Sequence, residues 1–272
     1  MNLFIAWFNK EDLCYNYRNP LDFYLPQWQT SEKLDLSFLV YRLFNTGYFY
    51  TIFYFSERAT WNVPHNIKVC VFLYYTYWSF LISTLTSLVF LIVSVLRMCE
   101  ELSQENNEEQ SDKKTNLPIW FKLQYALSAL NFDATITTSC GFWTLVYFYQ
   151  NKSFHLGSCI LHLWNTIILL IDFMIVRVPV RLSHGIYSVL LTIVYFIFTF
   201  FYYISGGKSL TGQHYLYKML DYQNPGLVCA GIVAVMTYVV LARLLAYGLF
   251  KLRVRIFTII FTCEDEGEEM VH

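Results

Sequence analysis

The chain has 272 residues, 56% of them hydrophobic and 14% charged, with a formal net charge of −1. An ordinary soluble domain carries roughly a quarter charged residues, so this composition excludes that class and makes lipid the expected solvent. The lack of a basic block excludes the electrostatic footprint of a nucleic-acid binder, and the seven cysteines (Cys14, Cys70, Cys99, Cys140, Cys159, Cys229, Cys263) stand singly, without the paired spacing of a zinc, redox or disulfide framework.

Taken in chain order, the apolar run Leu3 to Phe8 is too short for a signal-peptide core and has no basic flank, so insertion is expected to begin at the first true span. A bilayer core of about 30 Å needs about 20 mostly apolar residues per helix. Six stretches meet that length, at 37–55, 69–96, 124–149, 155–176, 184–205 and 227–250. The expected architecture is all-α: a polytopic bundle of six transmembrane helices over 37–250, preceded by a cytoplasmic segment 1–36 and followed by an acidic cytoplasmic tail 251–272. An acidic cytoplasmic loop, 97–118, separates the second and third spans. Its stretch Glu100 to Lys114 has almost no apolar residue and is expected to be solvated.

Basic loops are retained in the cytoplasm, which fixes the orientation. One side collects Lys10, Arg18, Lys33, Arg97, Lys113, Lys114, Lys122, Arg177, Arg181, Lys251, Arg253 and Arg255, and the other Arg58, Lys68, Lys152, Lys208 and Lys218. Both termini are therefore expected inside, with Arg42 and Arg243 snorkelling from near helix ends. The sequon Asn151-Lys152-Ser153 then faces out. Cys99 and Cys263 follow cytoplasmic helix ends, where palmitoylation or an unmodified thiol both fit. Gly207-Lys208-Ser209 ends like a phosphate loop, but Tyr202 stands where the earlier glycine is required, and that reading fails. No internal repeat suggests the inverted halves of a transporter.

Polar residues three and four apart share a helix face and show which face avoids lipid. The second span carries Thr76, Ser79, Ser83, Thr86 and Ser87; the third Asp133, Thr137, Cys140 and Thr144; the fourth His162, Asn165 and Asp172; the fifth His184, Ser188, Thr192, Tyr195, Thr199 and Tyr202. Hydroxyls of this kind ordinarily join helices by hydrogen bonds. Ionisable groups are costlier in lipid, which makes His162, Asp133 and Asp172 the stronger functional candidates. Counted from the outer side, Thr76 and His162 are each seven residues into their spans, about 10 Å deep, so a hydroxyl and an imidazole meet if those helices are neighbours. His184 opens its span at the opposite edge, too far from Thr76 to act as its base. Asp172 lies about 15 Å from His162 along the axis, and Asp133 near the cytoplasmic start of its span, so only a dyad is expected.

Leu25-Pro26-Gln27-Trp28, Tyr41-Arg42 and Tyr74-Tyr75-Thr76-Tyr77-Trp78 resemble the rolling stone family of animal membrane proteins. The likeness continues through His162, Asn165, Asp172, Pro179, His184, Tyr187, Tyr195, Thr199, Tyr203, Gly206-Gly207, Leu220-Asp221-Tyr222 and Asn224-Pro225-Gly226. It implies a plasma-membrane protein with a role in myoblast or cell fusion. The chain is also distantly similar to the androgen-induced transmembrane hydrolases, six-span enzymes that cleave fatty-acid esters of hydroxy fatty acids. That resemblance implies Thr76 and His162 as a catalytic pair, Asn165 and Thr166 as supporting residues, a lipid-ester substrate, and no cofactor or metal. It departs from this chain at Leu161, where those hydrolases have asparagine, and in the aromatic flanks of Thr76.

Overall fold

The computed structural model describes residues 19–59, 72–104, 118–150, 156–209 and 212–269. The described residues form six main helices and no β-sheet. They are α1 (Leu36–Ala59), α2 (Tyr75–Gln104), α3 (Ile119–Gly141, prolonged by a π-helical stretch Phe142–Phe148), α4 (Leu156–Ile175, π-helical over Cys159–Trp164), α5 (Gly185–Ile204) and α6 (Pro225–Glu269). Four of them, α2, α4, α5 and α6, are long and apolar enough by themselves to cross a membrane. Large apolar side chains such as Phe44, Leu156, Leu163, Phe201 and Val233 stand exposed all round the bundle. A soluble protein does not tolerate such a surface, and a bilayer covers it. The chain is a polytopic membrane bundle.

The helix with the most buried polar side chains is the most central. α3 packs against α2, α4, α5 and α6, whereas α1 packs chiefly on α2. Gln124, Asn131, Asp133, Thr135, Thr137 and Ser139 of α3 are buried among neighbouring helices, so α3 falls short of a lipid-facing hydropathy without paying for it in lipid.

Helix ends follow local chemistry. Asn224 caps α6, with its side-chain oxygen accepting from the Leu227 amide at 3.3 Å, and Pro225 takes the first-turn position where no amide is needed. α5 stops at Gly206, whose φ of 76° only glycine adopts without strain. The following Gly207 lies under the Tyr202 ring, 2.4 Å from where a Cβ would sit. α4 ends at Ile175 before an extended stretch that contains Pro179, and Arg253 of α6 donates to the carbonyls of Phe173 (2.6 Å) and Val178 (2.8 Å) left open there.

Three expectations change. The second span begins at Tyr75, with 69–71 outside the described residues, and runs on through the charged residues to Gln104. It is held there by an Arg97–Glu101 pair at 2.9 Å one turn apart and by the Leu34 amide donating to Glu101 at 3.0 Å. The first part of the acidic loop is therefore helix, and 105–117 lies outside the described residues. The last span continues to Glu269, 45 residues and about 67 Å in all, because no Gly or Pro breaker follows position 250 until the acidic end and Arg253 ties it to α4. Arg42 and Arg243 do not snorkel. Each is at most 2% exposed and ion-paired inside the bundle, because partners on other helices replace the water they would otherwise reach for. The sequon, Trp61, Cys14 and Cys70 lie outside the described residues.

Both ends of the bundle are now defined. At one, the segment before α1 tucks under α4: the Gln27 amide donates to the Ile175 carbonyl (2.7 Å), Gln124 donates to the Phe23 carbonyl, and Arg177 pairs with Asp22 at 2.9 Å. Leu25-Pro26-Gln27 is thus a buried strap across the end that carries Arg97, Arg177, Arg181 and Arg253. At the other end, the α5–α6 connection folds back over the start of α2.

Candidate functional site

Beneath that connection lies a cavity with about 500 Å³ of space free of atoms, counted to its mouth. Its walls come from α2 (Tyr75, Thr76), α3 (Thr137, Thr138, Gly141, Phe142, Val146), α5 (Thr192, Tyr195, Phe196), the 3-10 turn Lys218–Leu220 with Tyr217 before it, and Val235 of α6.

One wall is a connected set of hydroxyls. The Tyr195 hydroxyl donates to the Leu73 carbonyl at 2.8 Å and accepts from the Tyr75 amide at 3.1 Å, which fixes where α2 begins. The Tyr75 and Thr192 hydroxyls share a 3.2 Å hydrogen bond, and Thr192 in turn donates to the Ser188 carbonyl at 2.9 Å. Tyr217 turns its hydroxyl inward onto Thr76 and Tyr195. Enclosure pushes the Tyr217 phenol up to about 12, so it enters the site as a neutral hydroxyl. The fit of this connection depends on Gly231: a Cβ there would stand 2.9 Å from the Met219 carbonyl oxygen.

The floor lies one helical turn below. Ser188 donates to the Asp133 carboxylate at 2.5 Å, and Arg243 reaches the same oxygen through Nε (3.0 Å) and Nη2 (2.6 Å), with Nη2 also donating to the Ala129 carbonyl. Nearer the strap, Asp172 accepts from Arg42 (2.7 Å) and the Tyr41 hydroxyl (2.8 Å). Both carboxylates are thus engaged by arginines, and neither is offered to a histidine.

Thr76 is on the cavity wall, as the second residue of α2 rather than seven residues deep. His162 is buried and does not line the cavity. Its ring stacks face to face on Phe142, centroids 3.8 Å apart and planes 6° apart, and Phe142 does line it. Helices α2 and α4 each pack on α3 and share no extended contact with one another. The Nδ1 of His162 and the Oδ1 of Asn165 are buried without hydrogen-bond partners. The Thr166 hydroxyl is occupied by the His162 carbonyl (2.7 Å) and by Ser139 (2.6 Å). π-Helical turns often mark functional sites, and here two of them position Phe142 and His162.

Sequence reasoning placed Thr137, Thr192 and Tyr195 on inward faces but missed Thr138 and the inward turn of Tyr217. Tyr222 turns inward as well and shares a 2.8 Å hydrogen bond with Thr199. A phenol within reach of a buried partner satisfies itself there, a preference that no local pattern in the connection announces.

The chain is 27% identical over 256 residues to the protein rolling stone of Drosophila melanogaster, covering 92% of this chain and 91% of that protein. No solved structure matches. The family model described as "Protein rolling stone" matches residues 2–266, and the chain belongs to the rolling stone family.

Proposed function

We propose that this chain is a plasma-membrane protein, with both termini cytoplasmic, that acts in cell fusion through the folded connection between α5 and α6. Family membership over residues 2–266 is the observation that carries this reading. The connection supplies a suitable surface: His214 and Asp221 pair at 2.9 Å, Ser209 closes a turn onto Gln213 (2.7 Å), and Tyr74 packs edge-on against Tyr217 at 5.6 Å. The clustering of Arg97, Arg177 and Arg181 at the strapped end supports placing that end in the cytoplasm. The test is a two-colour cell-fusion assay. His214→Ala with Asp221→Ala should cut fusion severalfold at unchanged surface level, while Leu241→Ala on the lipid face leaves it intact. Undiminished fusion in the paired variant would remove the connection from the mechanism.

A second reading is intramembrane hydrolysis of a lipid ester, supported by Phe142, which both lines the cavity holding Thr76 and covers the ring of His162, whose Nδ1 has no hydrogen-bond partner. His162 would take the Thr76 proton as the hydroxyl oxygen attacks the ester carbonyl. The alcohol would leave with that proton, and water would release the acyl group from threonine. This chemistry needs Phe142 to swing aside. A serine/threonine-hydrolase probe should label the native protein in membranes and lose the signal in Thr76→Ala and His162→Ala. Labelling that persists in Thr76→Ala contradicts it.

A further inference from the structure

Most helical hydroxyls in this bundle satisfy themselves. Ser83, Thr84, Thr86, Ser94, Thr192 and Thr237 each donate to the carbonyl four residues back, at 2.7–3.1 Å. This is the ordinary refuge of a hydroxyl in lipid. Thr137 and Thr138 do not take it. Their Oγ1 atoms are enclosed, have no hydrogen-bond partner, and belong to residues that line the cavity, Thr137 being only 2% exposed. A buried donor without an acceptor is costly, so two adjacent ones on a cavity wall mark where a ligand's acceptor oxygen sits.

The remaining walls define the rest of that ligand. Phe142, Val146, Phe196, Leu220 and Val235 offer only apolar surface, and among the described residues no Asp, Glu, Lys, Arg or His lines the cavity. Asp133 and Arg243, one turn below Thr137, are paired with one another. An ionised headgroup would find no counter-charge among these lining residues. We infer that this cavity binds a neutral lipid with an apolar body and a hydroxyl or ester oxygen at one end, which accepts from Thr137 and Thr138. The inference stands on α3 and needs neither catalysis by Thr76 nor a role in fusion.

The test uses the full-length protein in cell membranes and three photoactivatable, clickable probes: a sterol, a monoacylglycerol and a phosphatidylcholine. One of the two neutral probes should label the protein saturably, at peptides containing Phe142 or Leu220, and which of them succeeds separates sterol from glyceride. Thr137→Val with Thr138→Val should raise the half-saturating probe concentration about tenfold, as expected for two lost hydrogen bonds. Thr137→Ser with Thr138→Ser should restore labelling, and Thr144→Val, which removes a hydroxyl outside the cavity, should leave it unchanged. Equal labelling of the valine variant and the native protein would overturn the assignment. So would phosphatidylcholine labelling as strong as that of the neutral probes, or adducts confined to the lipid-facing surface.

Discussion

The two ends of this bundle hold different kinds of buried polarity, charged groups at one and hydroxyls beside a cavity at the other. Near the strap, Arg42 bonds to Asp172, which also accepts from the Tyr41 hydroxyl, and Arg253 bonds to two carbonyls at the end of α4, with Arg42 Nε and Nη2 and Arg253 Nε left over; at the middle, Arg243 bonds to Asp133, which also accepts from Ser188. Under the α5–α6 connection, the polar groups on the cavity wall are uncharged hydroxyls, and two lining residues, Thr137 and Thr138, have enclosed Oγ1 atoms without a partner. Matched polarity specifies which helices lie together, whereas unmatched polarity at a cavity is retained at a cost to folding. The first is architecture and the second is a site.

Breaking the matched end should cost most. Asp133→Ala leaves Arg243 buried and uncompensated, and should lower stability in detergent by about 3–5 kcal/mol in thermal unfolding. Replacing both partners with apolar residues, Asp133→Leu with Arg243→Met, should recover much of that loss. Asp172→Ala should cost about 3 kcal/mol for the same reason, at the lower end because Asp172 keeps 16% of its side chain exposed. Gly231→Ala sharpens the comparison from the other side. The added methyl meets the Met219 carbonyl, forces the 3-10 turn outward, and should cost about 1–3 kcal/mol while loosening Tyr217 from Thr76. The smallest effect belongs to Arg97→Ala, which removes a part-exposed pair one turn long and should cost about 0.5 kcal/mol. An Arg97→Ala effect as large as that of Asp133→Ala would erase the distinction drawn between buried and peripheral pairs.

Much of the architecture was legible because lipid imposes length: every apolar stretch long enough to span became a helix, and α5 buries Ser188, Thr192, Tyr195 and Thr199 along the face their spacing defines. Gly206-Gly207 and Asn224-Pro225 punctuate the chain where their backbone chemistry requires. What was not legible depends on which helices touch. Arg243 finds Asp133 only because α6 lies against α3, and Arg42 finds Asp172 across the bundle, so both were read as snorkelling side chains. The depth of Thr76 was misjudged for a related reason. The start of α2 is set by the Tyr195 hydroxyl gripping Leu73 and Tyr75, a tertiary contact that hydropathy does not contain. The site itself was half visible: the threonines announced an inward face, but which of them lacked a partner depended on the room left around them.

The contrast between the two ends is tested most directly by unfolding Thr137→Val with Thr138→Val beside Asp133→Ala in the same lipid-free detergent. Removing two unpaired hydroxyls should leave the unfolding temperature unchanged or raise it, by up to about 1–2 kcal/mol of stability, while removing the carboxylate lowers it steeply. A valine variant that melts as early as Asp133→Ala would mean that those threonines hold the bundle together and that the cavity has no hydrogen bonds to offer a ligand.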